Sequence, residues 1–72
     1  MPVPSLTPRE RDILAAVTRG GTNRAIAEQL GIKEQAVKNY LTAIYEKVGV
    51  RNRVALTVAA LRGHLIEQKP YG

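Results

Sequence analysis

Apolar positions recur along this chain at helical spacing, in four blocks that glycine separates. In the first block Ile13, Leu14 and Val17 share one side of a helix that opens at "TPRE" and closes at Gly20-Gly21. The opening has the form of a capping box. Thr7 supplies a hydroxyl, Pro8 suits the first helical position, and Glu10 reaches back to the cap amide. In the second block, "TNRAIAEQL", Ile26, Ala27 and Leu30 make the inner stripe, with Thr22 as cap and Gly31 as stop. The third runs from Lys33 or Glu34 to Val48 and stops at Gly49; the fourth starts after Asn52, a good cap, and extends to about Ile66. Strand-type alternation is absent. The pattern predicts an all-α, four-helix bundle-like domain, and the short glycine turn "LGIK" between the second and third helices is the mark of a helix-turn-helix. Many helical hairpins share that mark, so the turn alone does not fix function.

The third helix carries two different faces. At about 100° per residue, Val37, Leu41, Ile44 and Val48 fall in one narrow sector and form a core stripe. Gln35, Lys38, Asn39 and Thr42 fall together on nearly the opposite side. Apart from Glu34, nearer the flank, that outward face holds no acid in its first three turns, unlike an ordinary solvated face with mixed Glu/Lys pairs. Gln and Asn side chains can grip adenine through two hydrogen bonds, and Lys can donate to the O6 and N7 of guanine. Standing just after the turn, these residues occupy the place from which a recognition helix reads base edges. A plain solvated face is the alternative.

The fourth helix has more apolar surface than one core contact needs. Val54, Val58, Leu61 and Leu65 make one stripe; Leu56, Ala59, Ala60, Gly63 and Ile66 make another, displaced by more than roughly 90°. The small residues of the second stripe allow close approach, which assigns it to the core and leaves the Val/Leu stripe to a partner, most simply a second copy. The alternative is a helix sunk on both sides.

Composition narrows the classes. A chain of 72 residues is one small domain, with no cysteine for a disulfide or thiolate site and a single histidine, His64. No nucleophile–base pair or metal cluster emerges, so no catalytic role and no cofactor are expected. No apolar run approaches the roughly 20 residues that span a bilayer, and "MPVPS" does not read as a signal peptide. A soluble, intracellular protein is the expectation. Eleven Lys and Arg against six acids give a net charge of +5, which favours a polyanionic partner. Cations cluster near the third helix: Lys33, Lys38, Lys47, Arg51 and Arg53. With Thr22, Asn23 and Arg24 at the start of the second helix, they are suited to phosphate contacts, plain solvent exposure being the alternative for each.

Together, "LTPRERDIL…GGTNRAIAEQLGIKEQAVKNYLTAIYEKVGVRNRVA" resembles the LuxR-type helix-turn-helix, the effector domain of NarL/FixJ response regulators and quorum-sensing regulators. The resemblance spans nearly everything from Leu6 to Ile66. It implies a sequence-specific binder of double-stranded DNA in a bacterial transcription regulator. Its recognition helix, about 34–48, would lie in the major groove, and it would dimerise through a helix at about 53–66. Base contacts are implied for Gln35, Lys38, Asn39 and Thr42, phosphate contacts for Thr22, Asn23, Arg24 and Lys47, and dimer contacts for Val54, Val58 and Leu61, to which the stripe adds Leu65. Two departures stand out: the family usually has Ser or Thr where Lys33 stands, and Thr where Ala36 stands. Losing a side-chain cap costs about 1 kcal/mol, so Lys33 is expected to trade capping for a phosphate contact. The family also implies an N-terminal receiver or sensor domain. Residues 1–5 are therefore expected to be a linker remnant, 6–66 the DNA-binding domain and 67–72 a flexible tail; a naturally short regulator is the alternative. The competing functional class is a non-catalytic protein-interaction module that uses the apolar face of the fourth helix.

Overall fold

The computed structural model describes residues 6–62. Four helices follow one another: α1 (Pro8–Thr18), α2 (Asn23–Leu30), α3 (Glu34–Val48) and α4 (Arg53–Leu61). All of the described regular structure is helical. Expectations for residues 1–5, for the tail at 67–72, and for Gly63, Leu65 and Ile66 at the end of the fourth helix lie outside the described residues.

Each helix begins where the sequence provides a cap, with one exception. The Thr7 hydroxyl accepts the Glu10 amide at 3.2 Å while Oε1 of Glu10 accepts the Thr7 amide at 2.9 Å, completing the capping box. Thr22 accepts the Ala25 amide at 3.1 Å and Asn52 accepts the Ala55 amide at 2.8 Å. Lys33 starts α3 with no side-chain cap. The turn between α2 and α3 requires a left-handed backbone at Gly31, where φ is 69°, a conformation only glycine enters without strain.

Helix α1 is the scaffold: it packs against α2, α3 and α4, while α2 and α3 pack on each other. Ile13, Leu14, Ile26, Val37, Ile44 and Leu56 are fully buried, and Leu6, Ala16, Val17, Ala27, Leu41 and Ala60 complete the core. Burying each large aliphatic side chain contributes about 1.5–3 kcal/mol. Leu30, Tyr40 and Val48 are half-buried against this core. The sequence stripes thus match, and Leu6 joins them from just outside the first cap. On α4, Leu56 and Ala60 face inward with Ala59 at the margin, whereas Val54, Val58 and Leu61 are 74%, 43% and 70% exposed. Among the described residues of α4, the small-residue side is therefore the core side.

Candidate nucleic-acid interface

The outward face of α3 follows from its periodicity. Val37, Leu41 and Ile44 are buried, and the opposed Gln35, Lys38, Asn39 and Thr42 are all exposed. Two contacts organise this face. Gln35 Nε2 donates to Asn39 Oδ1 at 3.1 Å, joining the two carboxamides one turn apart. The Thr42 hydroxyl donates to the Lys38 carbonyl at 3.1 Å. Its single proton is therefore held by its own helix, and Thr42 presents outward a methyl group and an acceptor rather than a donor.

At the uncapped start of α3, the amides of Ala36 and Val37 both turn to the Lys33 carbonyl, at 2.9 and 3.2 Å. A tightened first turn thus does part of what a cap would do. The Lys33 side chain is exposed.

The residues assigned to phosphates lie in two different settings. Thr22, Asn23 and Arg24 open α2, whose amides and dipole favour an anion. Arg24 is exposed and stands 3.7 Å from Glu28 one turn on, a contact that water screens. Asn23 is half-buried, and its Oδ1 accepts from Arg53 at 2.6 Å. The other arm of the Arg53 guanidinium donates to the Gly21 carbonyl at 2.5 Å. Gly21 is closely packed: a Cβ there would stand 3.2 Å from Ile26 Cγ1 and 3.3 Å from the Ala16 carbonyl oxygen, so these neighbours would have to give way slightly. Arg53 thus staples the head of α4 to the α1–α2 turn and the head of α2.

Lys47 is placed differently from a free surface cation. Its Nζ lies 2.8 Å from Oε1 of Glu10, whose side chain is 6% exposed, while the Lys47 side chain is 38% exposed. The hydrogen bond from Lys47 and the Thr7 amide hold the Glu10 carboxyl below its usual range, against the opposing effect of burial. The roles of Glu10 beyond its cap and of Arg53 as a staple were missed in sequence reasoning. Both partners lie more than two dozen residues away, and no local spacing connects them.

Beside the exposed Val54 and Val58, an open cleft of about 330 Å³ runs along the end of α1, lined also by Val17, Thr18, Gly20 and Gly21. No helix among the described residues is long and apolar enough to cross a membrane.

Comparison with known proteins agrees with the helical fold. The family model described as bacterial regulatory proteins, luxR family, matches residues 4–60. The chain is 50% identical over 58 residues to the probable transcriptional regulatory protein SgaR of Hyphomicrobium methylovorum, covering 81% of this chain and 27% of that protein. It is 41% identical over 66 residues to the transcriptional regulatory protein LiaR of Bacillus subtilis, covering 92% of this chain and 31% of that one. The crystal structure of the response regulator ChrA of a heme-sensing two-component system superposes with a TM-score of 0.78 at 41% identity, over 88% of this chain and 31% of that chain. The chain therefore spans less than a third of these relatives.

Proposed function

The chain belongs to the luxR family of bacterial regulatory proteins and is a DNA-binding regulator domain, and from that premise we propose how it engages DNA. Helix α3 enters the major groove, where Gln35, Lys38 and Asn39 read base edges and Thr42 adds an apolar or acceptor contact. Thr22, Asn23, Arg24 and Lys33 hold the phosphates. Lys47 joins them only through the donors that Glu10 leaves free, since an ammonium has three. Val54, Val58, Leu61 and Leu65 pair two copies, so that two recognition helices meet inverted half-sites about one DNA turn apart.

The observation that carries this reading is the division of α3, immediately after the glycine turn, into a buried stripe of Val37, Leu41 and Ile44 and an exposed polar face of Gln35, Lys38, Asn39 and Thr42. The dimer is supported by the strong exposure of three large apolar side chains on one side of α4. The domain acts without catalysis, in the cytoplasm, as the output end of a longer regulator whose receiver or sensor domain precedes it.

Selection of bound sites from random duplex DNA, with the chain as it stands and with Leu61→Glu, tests both parts. The expected outcome is an inverted repeat for the former and a single half-site or no enrichment for the latter. Unenriched sequences from the unaltered chain would refute base reading. Single half-sites with a strictly monomeric protein on DNA would refute the dimer and favour a surface for a different protein.

A further inference from the structure

We propose that Arg53 is a positioning residue for the DNA backbone, acting through Asn23; this rests on the phosphate contacts proposed above. A guanidinium carries five N–H donors and no acceptor. The group of Asn23 that faces it at 2.6 Å must therefore be the carbonyl oxygen. That choice settles the orientation of the carboxamide. With Oδ1 held by Arg53, the Nδ2 amino group is turned away from it and supplies donors to a phosphate. An unheld asparagine would offer oxygen and nitrogen about equally, and the oxygen repels an anion.

The placement of Arg53 makes the hold firm. Its second arm is fixed by the Gly21 carbonyl at 2.5 Å, so the guanidinium is gripped at two points and half-buried. A flat, forked cation fits this two-point site; the point charge of lysine does not. Arg53 also stands next to Val54 on the proposed dimer face and lines the same cleft as Val54 and Val58. The head of α4 therefore sets the phosphate-facing group at the head of α2.

The test combines stability and affinity for the 72-residue chain. Duplexes of one half-site and of unrelated sequence are titrated with Arg53→Lys, Asn23→Ala, the double variant, and Asn23→Asp. Asn23→Asp is expected to stay at least as stable as the unaltered chain, because a carboxylate pairs well with Arg53. It is also expected to bind both duplexes at least tenfold more weakly, having lost its donors and gained a negative charge. Arg53→Lys is expected to weaken binding several-fold when Asn23 is present and to have no further effect beside Asn23→Ala.

Additive losses in the double variant would overturn the inference, since Arg53 would then touch DNA by itself. So would an Arg53→Lys variant that is less stable yet binds DNA unchanged, or an Asn23→Asp variant with undiminished affinity. Failure of the unaltered chain to bind duplex DNA would instead refute the reading beneath it.

Discussion

The ammonium of Lys47 stands 2.8 Å from Oε1 of Glu10, the same oxygen that accepts the Thr7 amide at 2.9 Å. One carboxylate oxygen thus closes the cap of α1 and ties α1 to the last turns of α3, across 37 residues of chain. Because α3 carries the outward polar face, this tie helps set the face's position on the scaffold helix.

Glu10→Gln keeps an acceptor for the capping box and removes the charge that holds Lys47. The freed ammonium can reach water, so the expected loss is modest, about 1.5 kcal/mol at neutral pH. The carboxyl is depressed from its ordinary value of 4.5 in the folded state. Its contribution is therefore fully present above that value and is lost as pH falls below it, through the depressed value. Urea denaturation of both proteins should show a gap at pH 7 that narrows progressively below pH 4.5. An unchanged gap in acid would show that charge is not the cause.

Base reading should be unequal along α3. Lys38→Ala and Asn39→Ala are each expected to cost about 1–3 kcal/mol on the selected half-site and less on unrelated DNA. Thr42→Val should change affinity less than either, because the hydroxyl proton is already held by the Lys38 carbonyl. Fluorescence anisotropy on the two duplexes measures this. A loss at Thr42 as large as at Lys38 would mean that the hydroxyl leaves its helix for a base.

The two faces of α4 should respond oppositely. Leu61, 70% exposed, is expected to tolerate glutamate within about 0.5 kcal/mol of folding stability. Leu56 is fully buried, and its replacement by alanine should cost about 2–5 kcal/mol. Sedimentation on a palindromic duplex should give two protomers for the unaltered chain and one for Leu61→Glu. Two protomers for both would place the dimer contact elsewhere.

At the start of α3, stability and affinity should trade. Lys33→Ser introduces a side-chain cap and is expected to raise stability by about 1 kcal/mol. The same change removes a cation from the phosphate edge, so binding should weaken on all sequences and its salt dependence should fall by about one ion. Amide exchange at Gln35 should be fast in the free protein and slow in the variant. The Ala36 amide, bonded to the Lys33 carbonyl, should be the better protected of the two already. Slow exchange at Gln35 in the unaltered free protein would remove the reason for the trade.

Much of this domain is written locally. Thr7, Thr22 and Asn52 cap because a hydroxyl or amide oxygen precedes a helix by the right number of residues, and no distant contact is needed to see it. The split of α3 into Val37, Leu41 and Ile44 against Gln35, Lys38, Asn39 and Thr42 follows from helical periodicity alone. The identity of the inner stripe on α4 was legible too, since Ala59 and Ala60 permit closer approach than Val54 and Val58. The sequence showed the residue types available to DNA but not which of their atoms were already engaged. The Thr42 hydroxyl proton is held by the Lys38 carbonyl, Lys47 by Glu10, and the Asn23 carbonyl oxygen by Arg53.

By itself, then, the sequence determined the helices, their caps, the turn of Gly31 and the two-faced character of α3 and α4. These depend on backbone propensity and on a period of 3.6 residues, both of which act within a few turns of chain. Only the tertiary structure decided that Glu10 receives Lys47 and that Arg53 bridges Asn23 and Gly21. Those pairings join residues about 30 or more positions apart. They exist because packing on α1 brings the ends of four helices together, and a half-buried charge is stable there only when it finds its partner.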